Sequence, residues 1–304
     1  MVNKSDAGQE APGKRRLKRL LLLILKILFT FGALYLVFTK ADTTKLKGYF
    51  ITADWRYMLV AFLALNAGQF VSAMRLRFYL ASINVHFSRV GATMLYYAGM
   101  FFNLVLPGGI GGDGYITYVL KRRYHVGIGT GVRILLSSRA SGLLGLMTIT
   151  LLLAFFAESF ATVDYVYGLL VVAIIGLIGS YYLLTTVLLK ETIATQIGAS
   201  KYSFFVQLTV ALSAAALFKS LGLTHAYPDY VMLFMVSCVV TMLPISIGGV
   251  GLRELTFFYG GAMLGMDQEK GVAVALLYFV VNAAAALLGV LTFFYKKSHT
   301  QPTK

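Results

Sequence analysis

The sequence has few charged residues for its length. Only 13% of the 304 residues are charged, whereas 58% are hydrophobic, and a soluble globular protein has about a quarter of its residues charged. The loops between the hydrophobic runs are too short to form a separate soluble domain. The composition therefore argues against a soluble enzyme and indicates a protein whose solvent is mostly lipid.

Cysteine is almost absent, and histidine is rare. The single cysteine, Cys238, lies in an apolar run, which excludes a disulfide framework and a thiolate metal cluster. The four histidines are far apart and lack the spacing of metal ligands on a helix. No nucleophile and base, and no pair of carboxylates, stand at a defined spacing. We therefore expect no metal, no cofactor and no catalytic residues, and hence no enzyme.

Acidic residues are scarce relative to basic ones. The chain has 27 Lys and Arg against 12 Asp and Glu, and a net charge of +15. In a soluble protein this excess would suggest nucleic-acid binding. In a membrane protein, Lys and Arg accumulate in cytoplasmic loops, next to anionic lipid head groups. We therefore expect the lipid bilayer as the partner, and no nucleic acid.

Six hydrophobic runs are long enough to cross a hydrocarbon core of about 30 Å, which takes roughly 20 helical residues. They are Leu20–Phe38, Tyr57–Leu80, Val132–Ala157, Tyr165–Leu189, Tyr202–Leu217 with an extension to Leu221, and Val272–Tyr295. Two further stretches, Ser88–Leu120 and Tyr230–Met266, are interrupted by Pro and Gly. The pattern predicts an all-α, polytopic membrane protein.

The distribution of basic residues predicts the orientation. If residues 1–19 form a cytoplasmic basic tail, most Lys and Arg of the loops fall on the cytoplasmic side, and residues 296–304 form a second cytoplasmic tail. Arg75, Arg77 and Arg89 then lie at the cytoplasmic end of the second span. The pieces of each interrupted stretch are too short to cross, so each is predicted to be a re-entrant hairpin. These features are typical of a bacterial-type inner (plasma) membrane protein.

The two interruptions have similar sequences. One reads LPGGIGGDG from Leu106 and the other LPISIGGVG from Leu243, so that Pro107 and Pro244 are 137 residues apart. The spans around them follow the same offset and run in opposite directions. The sequence therefore predicts one transmembrane domain, built as an inverted-topology repeat of residues 20–157 and 165–295 with four elements in each half.

The Pro and Gly residues predict a turn near mid-membrane in each half. Such a turn persists in lipid only when it is buried in protein or lines a wet cavity, so two opposed turns predict an internal polar site. The helix after each turn would direct its N-terminal amides at that site, where they suit an anion. The alternative is that the glycines only permit close helix packing. Gly289, in an ordinary span, should tolerate alanine better than Gly112 or Gly249.

Charged residues inside apolar segments are the candidate ligands, because charges in lipid are costly and usually functional. Arg139 and Arg253 could each donate two parallel hydrogen bonds to a phosphate. Alternatively, Arg253 pairs with Asp113 or Glu254, or Arg139 extends to the cytoplasmic surface. The full set of candidate substrate-binding residues is Asn103, Gly111, Gly112, Asp113, Arg139, Gly248, Gly249, Arg253 and Glu254.

The segments NLVLPGGIGGDGYITYVLKRR and LPISIGGVGLRE resemble the flippase-like transmembrane region of the bacterial lysylphosphatidylglycerol synthases, which also occurs as a stand-alone membrane protein. The resemblance covers nearly the whole chain. It implies translocation of a lipid, aminoacylated phosphatidylglycerol being the cargo of the two-domain members. The soluble synthase domain of those members is missing here, so we expect no synthase activity.

Three functions are compatible with these features. The leading hypothesis is a lipid flippase or lipid transporter that moves a phospholipid or other anionic lipid through a central polar cavity. A secondary transporter of a small anion is the second, because opposed hairpins also suit alternating access. The third is a non-transporting scaffold for a lipid-modifying enzyme.

Overall fold

The computed structural model describes residues 12–106, 111–161, 165–242, 246 and 249–294. Within these ranges the chain is helical and contains no β-strand, which confirms the predicted all-helical class. The helices are α1 (Pro12–Lys40), α2 (Thr43–Thr52), α3 (Trp55–Ala81), α4 (Arg89–Val105), α5 (Gly111–Tyr124), α6 (Ile128–Ala154), α7 (Val166–Leu189), α8 (Ile193–Ser220), α9 (Tyr227–Thr241), α10 (Leu252–Met263), α11 (Gln268–Leu287) and α12 (Leu291–Phe294).

Among the described residues, five helical segments are long and apolar enough to cross a membrane: α3, α6, α7, α8, and α11 continued through α12. A sixth candidate is the pair α1 and α2, which are bent by 95° at a short break. These elements correspond to the six predicted spans, and the protein is a multi-pass membrane protein. Helix α2 was not predicted. It begins after Asp42, whose carboxylate accepts hydrogen bonds from the amides of Thr44 and Lys45 and so caps the new helix.

The first interrupted stretch forms a helical hairpin of α4 and α5. Asn103 of α4 accepts a hydrogen bond from the amide of Gly112 at 2.8 Å. Further along, the rings of Phe102 and Tyr115 lie 4.5 Å apart. Residue numbers fall along α4 as they rise along α5, so the two helices are antiparallel.

The second interrupted stretch also doubles back, through α9 and α10. The Nη2 atom of Arg253, in α10, lies 3.9 Å from the sulfur of Cys238 in α9. The ring centres of Phe234 and Phe257 are 6.3 Å apart. The four arms of the two hairpins have 17, 14, 15 and 12 residues. At 1.5 Å per residue they reach only about 18 to 26 Å, less than the hydrocarbon core of about 30 Å.

Helices α3 and α8 pack against each other over most of their length. The hydroxyl of Ser213 donates to the carbonyl of Ala61 at 2.9 Å, while Arg75 donates to the hydroxyl of Ser203 at 2.8 Å. Because numbers rise on α3 as they fall on α8, the helices are antiparallel. Lipid tails supply no hydrophobic force that would bring such helices together, so their association depends on close packing and on interhelical hydrogen bonds of this kind.

Asp229, in the first turn of α9, connects that helix to the loop between α6 and α7. Its side chain is 1% exposed and accepts hydrogen bonds from the amides of Glu158 and Ser159, at 2.9 and 3.0 Å, and from the Ser159 hydroxyl. One carboxylate therefore accepts hydrogen bonds from three donors of that loop.

We expect Asp229→Ala to lower the melting temperature of the detergent-solubilised protein. Each buried donor left without a partner costs about 1–3 kcal/mol. Asp54→Ala is the control, because Asp54 caps α3 with one hydrogen bond, to the amide of Arg56, and loss of such a cap costs about 1 kcal/mol. Equal melting temperatures for the two variants would contradict the joining role of Asp229.

Candidate functional site

A cavity of about 170 Å³ lies among α3, α4, α5 and α6. It brings together three of the predicted candidates, Asn103, Asp113 and Arg139, which come from α4, α5 and α6. The other residues that line it are Arg75, Leu76, Tyr96, Gly99, Met100, Ile116, Leu135 and Ser138. The cavity thus combines two guanidinium groups, one carboxylate and one amide within an otherwise largely apolar wall.

Arg139 and Asp113 form an ion pair at this cavity. The Arg139 Nε and Nη2 atoms lie 2.7 and 2.6 Å from Oδ2 of Asp113. The two side chains are 43% and 28% exposed. Asp113 is therefore the partner of Arg139, and the alternative in which it pairs with Arg253 is wrong. An anion that enters the cavity meets an arginine that already contacts a carboxylate.

Arg75 is the buried cation of the cavity, and sequence analysis missed it. We expected Arg75 at the cytoplasmic end of a span, but it lies inside α3 and is only 8% exposed. Its Nη1 donates to Ser203, whereas its buried Nε has no hydrogen-bond partner in the part of the chain that the structure describes. The helical spacing of Gly68, Ser72 and Arg75, which share the buried face of α3, is the signal that could have indicated this position.

Gly111 and Gly112 allow the arms of the first hairpin to touch. A Cβ on Gly112 would lie 2.2 Å from the carbonyl oxygen of Gly99, and one on Gly111 would lie 2.6 Å from that of Phe102. Both glycines lie at the start of helix α5. Close helix packing, which was the alternative interpretation, therefore explains why these two residues are glycine.

The remaining glycines have different environments. Gly249 has a φ of 80°, a backbone angle that glycine adopts readily and other residues avoid. Gly248 lies outside the described residues. Gly289 is not the unconstrained glycine that we expected, because a Cβ there would lie 2.2 Å from the carbonyl oxygen of Tyr97. The substitution Gly289→Ala is therefore unsuitable as a control.

Arg253 lies outside the residues that line this cavity. Its guanidinium carbon is 4.7 Å from the ring centre of Tyr278 and 5.3 Å from that of Phe234, distances at which an arginine is attracted to an aromatic face. Aromatic rings therefore supply its main contacts among the described residues. The structure does not bring the two predicted arginines, Arg139 and Arg253, into one cavity.

Glu254 caps α10. Its side chain is 1% exposed, and its carboxylate accepts the amide hydrogen of Gly251 at 2.6 Å. Among the described residues, Glu254 forms no ion pair with Arg253, so that alternative is also wrong. A carboxylate at a helix N-terminus interacts favourably with the helix dipole. The positive end of α10 therefore already has an anionic partner within the protein.

These observations define a multi-pass, all-helical membrane protein with two helical hairpins and a basic cavity among four of its helices. The family model described as the lysylphosphatidylglycerol synthase TM region matches residues 23–201 and 187–289. The chain belongs to this family, which confirms the resemblance noted in the sequence. No curated protein matches it. Membership of the family indicates a function related to membrane lipids.

We expect Gly112→Ala to lower the melting temperature, because the new methyl group would collide with the backbone of Gly99. Overpacking of this kind costs about 1–3 kcal/mol. Gly114→Ala is the matched control in the same helix, since a Cβ at Gly114 meets no atom within 4 Å. That control should melt at the wild-type temperature or slightly above it, because alanine favours helix. Equal stability of both variants would refute the close contact of the arms.

Proposed function

We propose that this protein is a lipid flippase or lipid transporter of a bacterial-type inner (plasma) membrane, and not an enzyme. Its cargo would be a phosphate-containing lipid, with or without an aminoacyl group. The observation that carries the proposal is the cavity that contains Arg75, Arg139 and Asp113. Two guanidinium groups against one carboxylate leave an excess positive charge at a buried position, which favours an anionic head group.

Internal pseudo-symmetry supports a transporter. Helices α3 and α8 correspond at the offset of 137 residues between Pro107 and Pro244, and they pack antiparallel. Near the middle of their contact, a Cβ on Gly68 would lie 3.6 Å from the carbonyl oxygen of Val206. These two residues are 138 positions apart, one more than the offset of 137, so nearly equivalent positions of the two helices lie opposite each other. Helix α6 packs on α9, and its counterpart α11 packs on α4. Two halves of opposite topology could rock against each other to alternate access.

The short hairpin arms support re-entrance from opposite sides. We propose that α4 and α5 enter from the cytoplasm and return there, and that α9 and α10 enter from outside. Both chain termini would then be cytoplasmic. The basic end of α5, with Lys121, Arg122 and Arg123 exposed, would face the cytoplasm, as the distribution of positive charge in membrane proteins favours.

The acyl chains would remain outside the cavity. A groove of about 340 Å³ lies among α6, α7 and α8 and is mostly apolar, with Thr148, Tyr182, Ser200 and Lys201 as its polar members. Gly145 lines this groove and also packs against Ser203, the hydroxyl partner of Arg75. The contact between Gly145 and Ser203 would thus connect an acyl chain in the groove with a head group in the cavity.

Reconstitution with a fluorescently labelled phosphatidylglycerol would test the proposal. In proteoliposomes, a membrane-impermeant reductant bleaches the outer leaflet, and the wild type should expose the inner pool faster than protein-free vesicles do. We expect Arg139→Gln to slow this transfer at least about tenfold, since one charge-assisted hydrogen bond contributes roughly 1.5–3 kcal/mol. Arg133→Gln is the control, because Arg133 is exposed on the same helix and does not line the cavity.

Wild-type protein that exposes no more lipid than protein-free vesicles would contradict the proposal. Uptake of inorganic phosphate driven by an ion gradient, without movement of lipid, would instead favour the transporter of a small anion. These two measurements can be made on the same vesicles.

Cysteine accessibility would test the topology in a Cys238→Ala background. We expect Arg122→Cys to react with an impermeant thiol reagent only from the cytoplasmic side, and Glu158→Cys only from outside. Both positions are exposed, so the membrane alone should decide access. Labelling of both from the same side would contradict the proposed orientation.

A further inference from the structure

We propose that Arg75 is the anion-binding residue at the inner end of the cavity, and that it selects the singly charged phosphodiester of a lipid head group. This inference rests on the proposed function and adds to it a binding residue and a charge state.

The burial of Arg75 is unusual for a cation with so few partners. An arginine has five N–H donors, but one hydrogen bond, to Ser203, is its only one within the described residues. No carboxylate oxygen of those residues lies within 4.0 Å of its guanidinium nitrogens, and its buried Nε has no hydrogen-bond partner among them. Removing a charge from water costs several kcal/mol unless partners compensate for it, so unused donors at this depth indicate a ligand.

The surroundings hold the guanidinium group in place. The Ser203 hydroxyl donates to the carbonyl of Ala199 at 2.9 Å, so its lone pairs are directed to Arg75. Gly142 of α6 leaves room beside the guanidinium group, because a Cβ there would lie 3.2 Å from Nη1. The position is therefore built by two further helices, α6 and α8, and it does not depend on a flexible surface side chain.

The charges in the cavity match a monoanion. Asp113 balances Arg139, with which it is paired, and Arg75 remains as one uncompensated positive charge. A phosphodiester carries one negative charge and would make the filled cavity neutral, whereas a doubly charged phosphate monoester would leave a buried negative charge. The amide group of Asn103 could add a donor, since its oxygen is already occupied by the amide of Gly112. Arg139 and Asp113, which are more exposed than Arg75, would lie nearer the opening.

Binding to the purified full-length chain in uncharged detergent would test this inference. The probes are dihexanoyl phosphatidylglycerol, which is a soluble phosphodiester, and inorganic phosphate, and calorimetry measures their affinities. We expect Arg75→Gln to weaken binding of the phosphodiester at least tenfold, and Arg75→Lys to weaken it less, because lysine keeps the charge but loses the planar fork. Arg77→Gln should bind normally, since Arg77 donates to the carbonyl of Phe87 and does not line the cavity.

Melting temperature separates ligand binding from a structural role. Without probe, Arg75→Gln should melt at the wild-type temperature or above it, because glutamine replaces a buried charge that lacks a counter-ion. With the phosphodiester, the wild type should gain thermal stability and Arg75→Gln should not. If Arg75→Gln fails to fold, Ser203→Ala provides the second test. It removes only the hydroxyl partner, and it should still weaken binding of the phosphodiester.

Three results would overturn the inference. The first is unchanged phosphodiester affinity in Arg75→Gln, or in Ser203→Ala where Arg75→Gln does not fold. The second is a large loss of stability in probe-free Arg75→Gln with no loss of affinity. The third is tighter binding of inorganic phosphate than of the phosphodiester, which would assign the site to a free anion. Lipid movement by the wild type together with Arg75-independent binding removes this inference and leaves the proposed function. Arg75-dependent binding without lipid movement would support this inference and contradict the proposed function.

Discussion

The antiparallel contact of α3 and α8 is the constraint on which the rest of the structure depends. In a bilayer, two apolar helices gain little by leaving lipid for each other, so they associate where small side chains allow close approach and where polar groups meet across the interface. Gly68 lies against Val206 and Thr209 at this contact, and Ser203 reaches Arg75. The same interface therefore holds the two halves of the chain together and positions the one buried arginine of the cavity.

The two hairpins show how helix ends are satisfied where water is scarce. An open helix N-terminus attracts anions, and this property alone would suggest that the cargo binds there. In this protein, Glu254 occupies the start of α10, and Asp113 lies in the first turn of α5. Protein side chains therefore already occupy both helix ends, since at α5 the amide of Gly112 donates to Asn103 and Asp113 pairs with Arg139. Under the proposed function, side-chain guanidinium groups would be the donors for an external anion.

The candidate site was predicted in part. Asn103, Asp113 and Arg139 stand near a Pro-Gly interruption or carry charge in an apolar run, and the cavity contains all three. Arg75 was assigned with Arg77 and Arg89 to the cytoplasmic end of the second span. Its helical spacing from Gly68 and Ser72 was a signal of the buried face, but its partner Ser203 on α8 is distant in sequence. Gly289 was misjudged for a related reason, since its neighbour Tyr97 is distant in sequence. Both errors concern contacts between separate helices.

The sequence by itself determined the helical class, the six candidate spans, the two interruptions and the family, because hydrophobic length and Pro-Gly punctuation act locally along the chain. Tertiary structure alone decided the partners of the charged side chains. Asp113 pairs with Arg139, Arg253 packs on Tyr278, and Arg75 faces a serine instead of a carboxylate. Such choices depend on helix rotation and crossing, where a displacement of a few ångströms exchanges one partner for another. The hydrophobic pattern of a helix that is apolar on nearly every face does not record its rotation.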